Sequence, residues 1–266
     1  MTRNLKSTLF VVAAIVLALF VPGQALAQPQ DNSTFRATVY GFVPNITGDT
    51  AIPTPTGNAF DISGDTLIDN TDFIVMGMFE LQKGRWGAFT DVMYLDLGTA
   101  KSTTRDIPLA GAPGPLSVTA NANVDIKAWV LTAAANLRAV SRPRLTLDLF
   151  GGARRLDADA TLDYSFTSPL GPGPQGTTDQ TNANWDGIGG VKGRLTFGRF
   201  TIPFYGDAGA GDSDLTVQAM AGVTYTFSHI ELGALYRYLD YDMKDDGRLI
   251  DTITFSGPMT GITFKW

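Results

Sequence analysis

A closed, antiparallel, up-and-down transmembrane β-barrel of ten strands is the all-β architecture this sequence predicts. Three observations predict it. Segments along the chain alternate with period two, apolar on one face and charged on the other. Short and long connections between those segments alternate strictly. The chain ends on an aromatic residue, Trp266, which closes one more alternating run, Gly261-Ile262-Thr263-Phe264-Lys265-Trp266. Ile262, Phe264 and Trp266 share one face of that run, as the last strand of an outer-membrane barrel presents itself to lipid.

The other end agrees. Arg3 and Lys6 form a charged n-region, Leu9 to Val21 is an almost unbroken apolar stretch, and Ala25-Leu26-Ala27 is a small-x-small cleavage site before Gln28. Residues 1–27 therefore form a secretory signal peptide by pattern, and 28–266 the barrel domain. The apolar stretch is too short for a membrane anchor and runs straight into the cleavage site. With no Cys in the chain, disulfides and a lipid-bearing N-terminal cysteine are both excluded. Removing Arg3 and Lys6 leaves 18 basic against 26 acidic side chains, a net charge of −8. That balance argues against nucleic acid or anionic lipid headgroups as partners. The remaining 239 residues hold no apolar run long enough for a membrane helix and no dividing linker, so one domain is expected.

Ten segments carry the alternation. Phe35 to Val43 sets Phe35, Ala37, Val39 and Val43 outward and Arg36 inward. Phe73 to Leu81 places Met76, Met78 and Glu80 inside. Trp86 to Leu97 is ambiguous, because Asp91 and Asp96 have opposite parity. Val124 to Ala134 sets Val124, Ile126, Ala128 and Val130 against Asp125, Lys127 and Trp129. Leu145 to Ala153 sets Leu145, Leu147 and Leu149 against Asp148, and a parity flip at Arg154-Arg155 predicts a β-bulge. Trp185 to Phe197 turns Asp186, Lys192 and Arg194 inward. Phe200 to Ala210 shows Phe200, Ile202, Phe204 and Ala208 outside and Thr201, Tyr205 and Asp207 inside. Leu215 to Phe227 alternates without a fault. Ile230 to Tyr238 hides Glu231 and Arg237. Thr252 to Trp266 flips near Pro258 and Met259. Pro203 and Pro258 each lack a ladder donor, so bulges are expected at both.

The connections set the topology. Lys83-Gly84-Arg85, Ala139 to Arg142, Gly198-Arg199 and Ser228-His229 are tight turns, assigned to the periplasmic side. Asn45 to Asp72, Gly98 to Val118, Tyr164 to Thr181 and Asp242 to Ile250 are long polar external loops, and Gly211 to Asp214 is shorter and acidic. The count is ten strands, or eight if two early segments are not strands. Trp86, Phe197, Phe200, Phe227 and Trp266 sit at the turn ends, and Phe73, Tyr94, Trp185, Tyr236 and Tyr238 toward the loop ends, which predicts two aromatic belts.

Several stretches resemble a family of Gram-negative outer-membrane β-barrel proteins of mostly unassigned function. They are Tyr40-Gly41-Phe42-Val43-Pro44-Asn45-Ile46-Thr47-Gly48, Gly84-Arg85-Trp86-Gly87-Ala88-Phe89-Thr90-Asp91-Val92-Met93-Tyr94-Leu95-Asp96-Leu97-Gly98, Trp185-Asp186-Gly187-Ile188-Gly189-Gly190-Val191-Lys192-Gly193-Arg194, Tyr205-Gly206-Asp207-Ala208-Gly209-Ala210-Gly211-Asp212-Ser213-Asp214-Leu215-Thr216, Tyr236-Arg237-Tyr238-Leu239-Asp240-Tyr241 and Ser256-Gly257-Pro258-Met259-Thr260-Gly261-Ile262. The resemblance spans the mature chain and implies the barrel lineage and outer-membrane location; it transfers no catalytic residues, because none are established for the family. The ending Phe264-Lys265-Trp266 departs from a commoner Tyr-Arg-Phe, yet keeps the terminal aromatic read by the assembly machinery.

Function narrows from there. The single His, His229, falls in a turn and has no second His to work with, so acid–base or nucleophilic chemistry of the outer-membrane hydrolase kind is not expected. No cofactor or metal site is expected either, since there is no Cys/His cluster and no phosphate-binding glycine loop. Asp240, Asp242, Asp245 and Asp246 have a spacing like that of a calcium loop, but Lys244 interrupts it. Two non-enzymatic readings compete: a plugged envelope scaffold or surface protein, and a narrow porin-like channel. The inward set Arg36, Glu80, Lys127, Asp148, Lys192, Arg194, Asp207, Glu231 and Arg237 mixes both signs, which favours mutual pairing and a plugged lumen. Arg194 and Arg237 are expected opposite carboxylates such as Glu231 and Asp207. Expected partners are outer-membrane lipid and lipopolysaccharide, periplasmic chaperones, and the assembly machinery, which would read Ile262, Phe264 and Trp266. The mature protein should begin at Gln28 and sediment with the outer membrane. N-terminal sequencing of the membrane fraction checks this; recovery from the periplasm after osmotic shock would contradict it.

Overall fold

The computed structural model describes residues 33–54, 57–65, 71–107, 116–244 and 250–266. The signal-peptide segment, Asp69, Asp245, Asp246 and the Phe73 side chain lie outside the described residues. Twelve strands follow one another: β1 (Ser33–Phe42), β2 (Asn45–Thr54), β3 (Gly57–Ile62), β4 (Thr71–Lys83), β5 (Trp86–Ile107), β6 (Leu116–Ser141), β7 (Leu145–Ser168), β8 (Gly171–Phe197), β9 (Phe200–Gly211), β10 (Ser213–Phe227), β11 (Ile230–Met243) and β12 (Ile250–Lys265). β1 and β4 through β12 pair antiparallel in sequence order, and β1 also pairs with β12. That last ladder, Arg36↔Lys265 to Phe42↔Met259, closes a barrel of ten strands.

β2 is β1 resumed. The pairing of β12 with β1 ends at Phe42↔Met259 and restarts with β2 at Asn45↔Ser256, in the same register. Between them Val43-Pro44 faces Gly257-Pro258, and Val43 N still donates to Pro258 O at 3.2 Å. A Cβ on Gly257 would lie 2.3 Å from the Val43 carbonyl oxygen, so only glycine admits this close crossing. The prolines therefore open a gap in the ladder without the expected bulge. Pro203 behaves likewise, holding register with Arg194 through β8–β9. The bulge expected at Arg154-Arg155 is absent as well: both residues stay in phase on β6 and β8. Arg154 simply faces inward and Arg155 outward, over the Trp185 ring.

Irregularity falls elsewhere. The β6–β7 register shifts between Arg138 and Val140, and β6 runs on to Ser141. The turn expected at Ala139 to Arg142 is thus displaced to Pro143-Arg144, with Arg142 and Leu145 exchanging backbone hydrogen bonds of 2.8 and 3.2 Å. Much of the expected external loop structure is ladder. β5–β6 pairing reaches Ile107↔Leu116, and β7–β8 pairing reaches Ser168↔Gly171. Cross-strand polar pairs carry these extensions, including Thr161 to Asp179 at 2.8 Å and Thr104 to Thr119 at 2.9 Å. Asn45–Thr54 and Gly57–Ile62, also expected as loop, form the β2–β3 hairpin.

The faces divide as the alternation predicts. Val39, Leu131, Leu149, Val191, Ile202, Val223, Leu232 and Ile262 are exposed outward. Trp86, Phe197, Phe200, Phe227 and Trp266 ring the turn end, with Phe35 stacked on Trp266 at 6.3 Å. Trp129, Trp185, Tyr236 and Tyr238 are exposed toward the other end, where Tyr94 packs on Trp129 at 4.4 Å. Inside, Phe89, Phe150 and Tyr205 pack together at 5.0–6.1 Å. Higher up, Phe42, Ile46, Leu239, Tyr241 and Phe255 are buried. Such an exterior is tolerated only where lipid covers it.

The tight turns at Gly84 and Gly198 use glycine at φ +57° and +63°, which L side chains avoid. The third, at Ser228, holds a serine at φ +43°. Ser228→Gly should therefore stabilise the barrel by about 1 kcal/mol, the cost of the left-handed conformation in a residue with a Cβ. Urea unfolding in detergent measures it, and a loss of stability would contradict the strain.

Candidate functional site: the barrel lumen

Closing ten strands turns every second side chain into a narrow interior, and the polar residues collect there in tiers. The tier nearest the short turns is built from both edges of the closure. Glu80 on β4 accepts from Lys192 Nζ at 2.6 Å and lies 3.2 Å from Arg36 Nε and 3.5 Å from Arg194 Nη2. Glu231 on β11 accepts from Lys265 at 2.8 Å, from Arg194 Nη1 at 3.1 Å and from Arg36. Arg138 forks onto Asp148 across the β6–β7 pair. This tier is wet: Arg194 keeps 29% of its side-chain surface exposed.

The tier above is dry. Arg237 Nη1 lies 3.0 Å from Asp91 Oδ2 and donates to Tyr40 Oη at 3.0 Å, while Nη2 donates to Gln218 Oε1 at 2.9 Å. Tyr40 in turn donates to Asp91 Oδ1 at 2.6 Å. Beside this unit Arg154 pairs with Asp207, which also accepts from Tyr205. Arg154 further donates to Thr216 at 3.1 Å and Thr132 at 3.3 Å. The side chains of Arg154, Asp207 and Arg237 are 0% exposed and that of Asp91 3%. Toward the long hairpins, Asp186 accepts from both the backbone N and Oγ of Ser213 at 2.9 Å. The first two tiers thus cross the lumen between strands that are not neighbours in the sheet, whereas Asp186 and Ser213 meet locally.

Eight of the nine residues expected inside face the lumen. Lys127 does not: it is exposed on the outer face of β6, in register between Asp96 and Asp159. Its neighbours Val130, Thr132 and Ala134 fix the parity, because they are buried and even-numbered. The expected partners also change. Arg194 meets Glu231, but Arg237 meets Asp91, and Asp207 meets Arg154. Sequence reasoning left out Tyr40, Asp91, Arg138, Arg154, Gln218 and Lys265. Unbroken parity with Asp148 places Arg154 inward, and an outward Phe264 places Lys265 inward, so both were within reach of the pattern.

Ile262 and Trp266 are exposed on the outer face of β12, and Phe264 shares their parity, opposite Val39 and Ala37 of β1. His229 sits exposed in its turn with Nδ1 2.9 Å from Ser228 Oγ. Among the described residues no three acids, histidines or cysteines converge as metal ligands. Lys244 donates to the Gly211 carbonyl and Asp240 accepts from Thr254, so these members of the calcium-like run are engaged with other strands.

No protein-family model matches this chain, and no curated protein sequence does. Among solved structures, the translocator domain of the autotransporter NalP from Neisseria meningitidis is similar at 15% identity, covering 98% of this chain and 95% of that one, with a TM-score of 0.41. Neisserial surface protein A is similar at 12% identity over 90% and 100% of the two chains, TM-score 0.34. The attachment invasion locus protein Ail of Yersinia pestis is similar at 11% identity over 88% and 98%, TM-score 0.30. Likeness at this level transfers no residue role.

The tiers differ in what a lost cation should cost. Arg237→Ala leaves Asp91 buried without its counter-charge and should destabilise the barrel by about 3–5 kcal/mol. Arg194→Ala leaves Glu80 and Glu231 with other cations in a hydrated tier and should cost no more than about 1 kcal/mol. Urea midpoints of the two variants, read from gel mobility of folded and unfolded forms, decide it; equal losses would contradict the tiered arrangement. The apolar exterior, two aromatic belts, polar interior and closed edge are together the construction of an integral outer-membrane β-barrel.

Proposed function

We propose that this protein is a sealed outer-membrane barrel, an envelope scaffold that holds tall external hairpins and performs no catalysis. One observation carries the reading: two cross-lumen ion pairs, Arg237–Asp91 and Arg154–Asp207, stand side by side in the middle of the barrel with almost no exposed surface. An ion crossing that section has to shed its water, and the charged groups it meets are already paired with one another. Phe42, Leu239 and Tyr241 are likewise fully buried and thicken the seal. The short turns face the periplasm and the hairpins the exterior in this reading, where lipopolysaccharide is the natural neighbour. The aromatic face of Ile262, Phe264 and Trp266 serves insertion, delivered by periplasmic chaperones to the assembly machinery. Catalysis lacks support because the one histidine sits exposed in a turn with its Nδ1 2.9 Å from Ser228 Oγ.

A narrow channel is the competing reading, and the same pairs decide between the two. In planar bilayers the wild type should show no single-channel conductance, whereas Arg237→Ala and Arg154→Ala should admit ion flow. A wild type that conducts steadily, with variants that change ion selectivity but not unfolding midpoint, would replace the sealed barrel by a pore.

A further inference from the structure

The tier nearest the short turns holds more positive than negative charge. Arg36 and Arg194 both approach the same two oxygens, Glu80 Oε2 and Glu231 Oε2. Lys192 and Lys265 take the remaining oxygens, Glu80 Oε1 and Glu231 Oε1. Four cations share two carboxylates, so two positive charges are unmatched among the described residues, in a chain whose overall charge is −6. Two guanidinium groups on one pair of oxygens repel each other.

A cavity of about 300 Å³ opens beside this cluster, at the small end of the roughly 300–1,000 Å³ typical of ligand sites. Apolar surface lines it as well, from Phe89, Met220 and Met259. Charge and apolar surface meet at Lys192, whose Nζ lies 4.2 Å from the Phe89 ring centroid. Above, the dry ion pairs close the cavity off, so a guest enters and leaves by the short-turn mouth.

We propose that this vestibule binds a small organic anion with an apolar body, of the aromatic carboxylate class. The carboxylate adds negative charge beside Lys192, Arg36 and Arg194, which share too little of it, and the ring lies against Phe89 and Met220. An inorganic anion meets only half of the site. The two glutamates compete with the guest for the same cations, which fixes the sign of each substitution.

Purified mature protein in neutral-detergent micelles, titrated with 4-fluorobenzoate and followed by fluorine NMR line width against empty micelles, tests this. Saturable broadening is expected, with 4-fluorobenzyl alcohol and sodium sulfate each binding at least tenfold more weakly. Lys192→Gln should weaken 4-fluorobenzoate at least tenfold, and Glu80→Gln should tighten it about threefold. Arg194→Gln, which also lines the cavity, stands in with the same expected weakening if Lys192→Gln fails to give the folded gel mobility. No saturable broadening with the native protein overturns the site. Sulfate binding as well as 4-fluorobenzoate overturns the apolar half, and weaker binding by Glu80→Gln overturns the charge competition.

Discussion

A backbone crossing hydrocarbon has to satisfy every N–H and C=O within the protein, because lipid offers no partner. The β1–β12 ladder is where this chain meets that demand. It runs from Arg36↔Lys265 to Phe42↔Met259, and Phe35 and Trp266 exchange two further bonds of 2.9 and 3.2 Å below it. Without it β1 and β12 would be raw edges in lipid. With it, every alternating residue has two destinations only, lipid or lumen. Period two in the sequence then becomes a radial sorting of the whole molecule. The crossing of Val43-Pro44 over Gly257-Pro258 shows how firmly the closure is held, because two prolines interrupt the ladder and register is the same on either side.

Sorting by alternation sends charge into a cylinder too narrow to be filled with bulk water. The lumen answers with partners rather than solvent. Arg237 binds Asp91, Tyr40 and Gln218, which come from β5, β1 and β10, so one side chain ties three other strands. Arg154 does the same from β7 to Asp207, Thr216 and Thr132. Buried pairs of this kind seldom add net stability over a well-packed apolar interior, since desolvation offsets most of the attraction. Their consequence lies in specificity: a strand slipped by one residue would turn Arg154 or Arg237 into lipid.

The strand faces were legible because lipid outside and paired charge inside both demand alternation, and in β8 to β11 nothing interrupts it. Two kinds of detail were not. Parity was misjudged where one residue broke the impression of a face: Lys127 was set inward with Trp129, although both lie outside, and Arg154 suggested a bulge where the strand is continuous. Asp91 stayed ambiguous for the same reason, because Asp96 lies outside within reach of Tyr94 Oη at 3.1 Å. Pairing across the lumen was legible only in part, since Arg194 meets Glu231 as expected but Arg237 and Asp207 take other partners. Arg237 and Asp91 are neighbours only because ten strands close, and no local spacing encodes which carboxylate a given arginine will face.

The polar hairpins were taken for loops, and their composition explains why. A strand crosses the membrane in about 9–11 residues, whereas β5 to β8 have 22, 26, 24 and 27. Above the lipid both faces meet water, the apolar half of the alternation is no longer required, and Thr, Asn and Asp replace it without unpairing the backbone. The four strands then form a sheet with two new edges, because β4 leaves β5 at Leu97 and β9 leaves β8 at Asp186. Each edge is guarded. Asp212 ends the β8–β9 ladder by accepting the Trp185 N–H on its carboxylate at 2.9 Å. Beyond it β8 carries Pro172 and Pro174, which offer no donor to an incoming strand, and β5 carries Lys101 and Arg105. The outer sheet is thus built to stand in water without recruiting another strand, which is the condition for a barrel to hold such tall hairpins as a single chain.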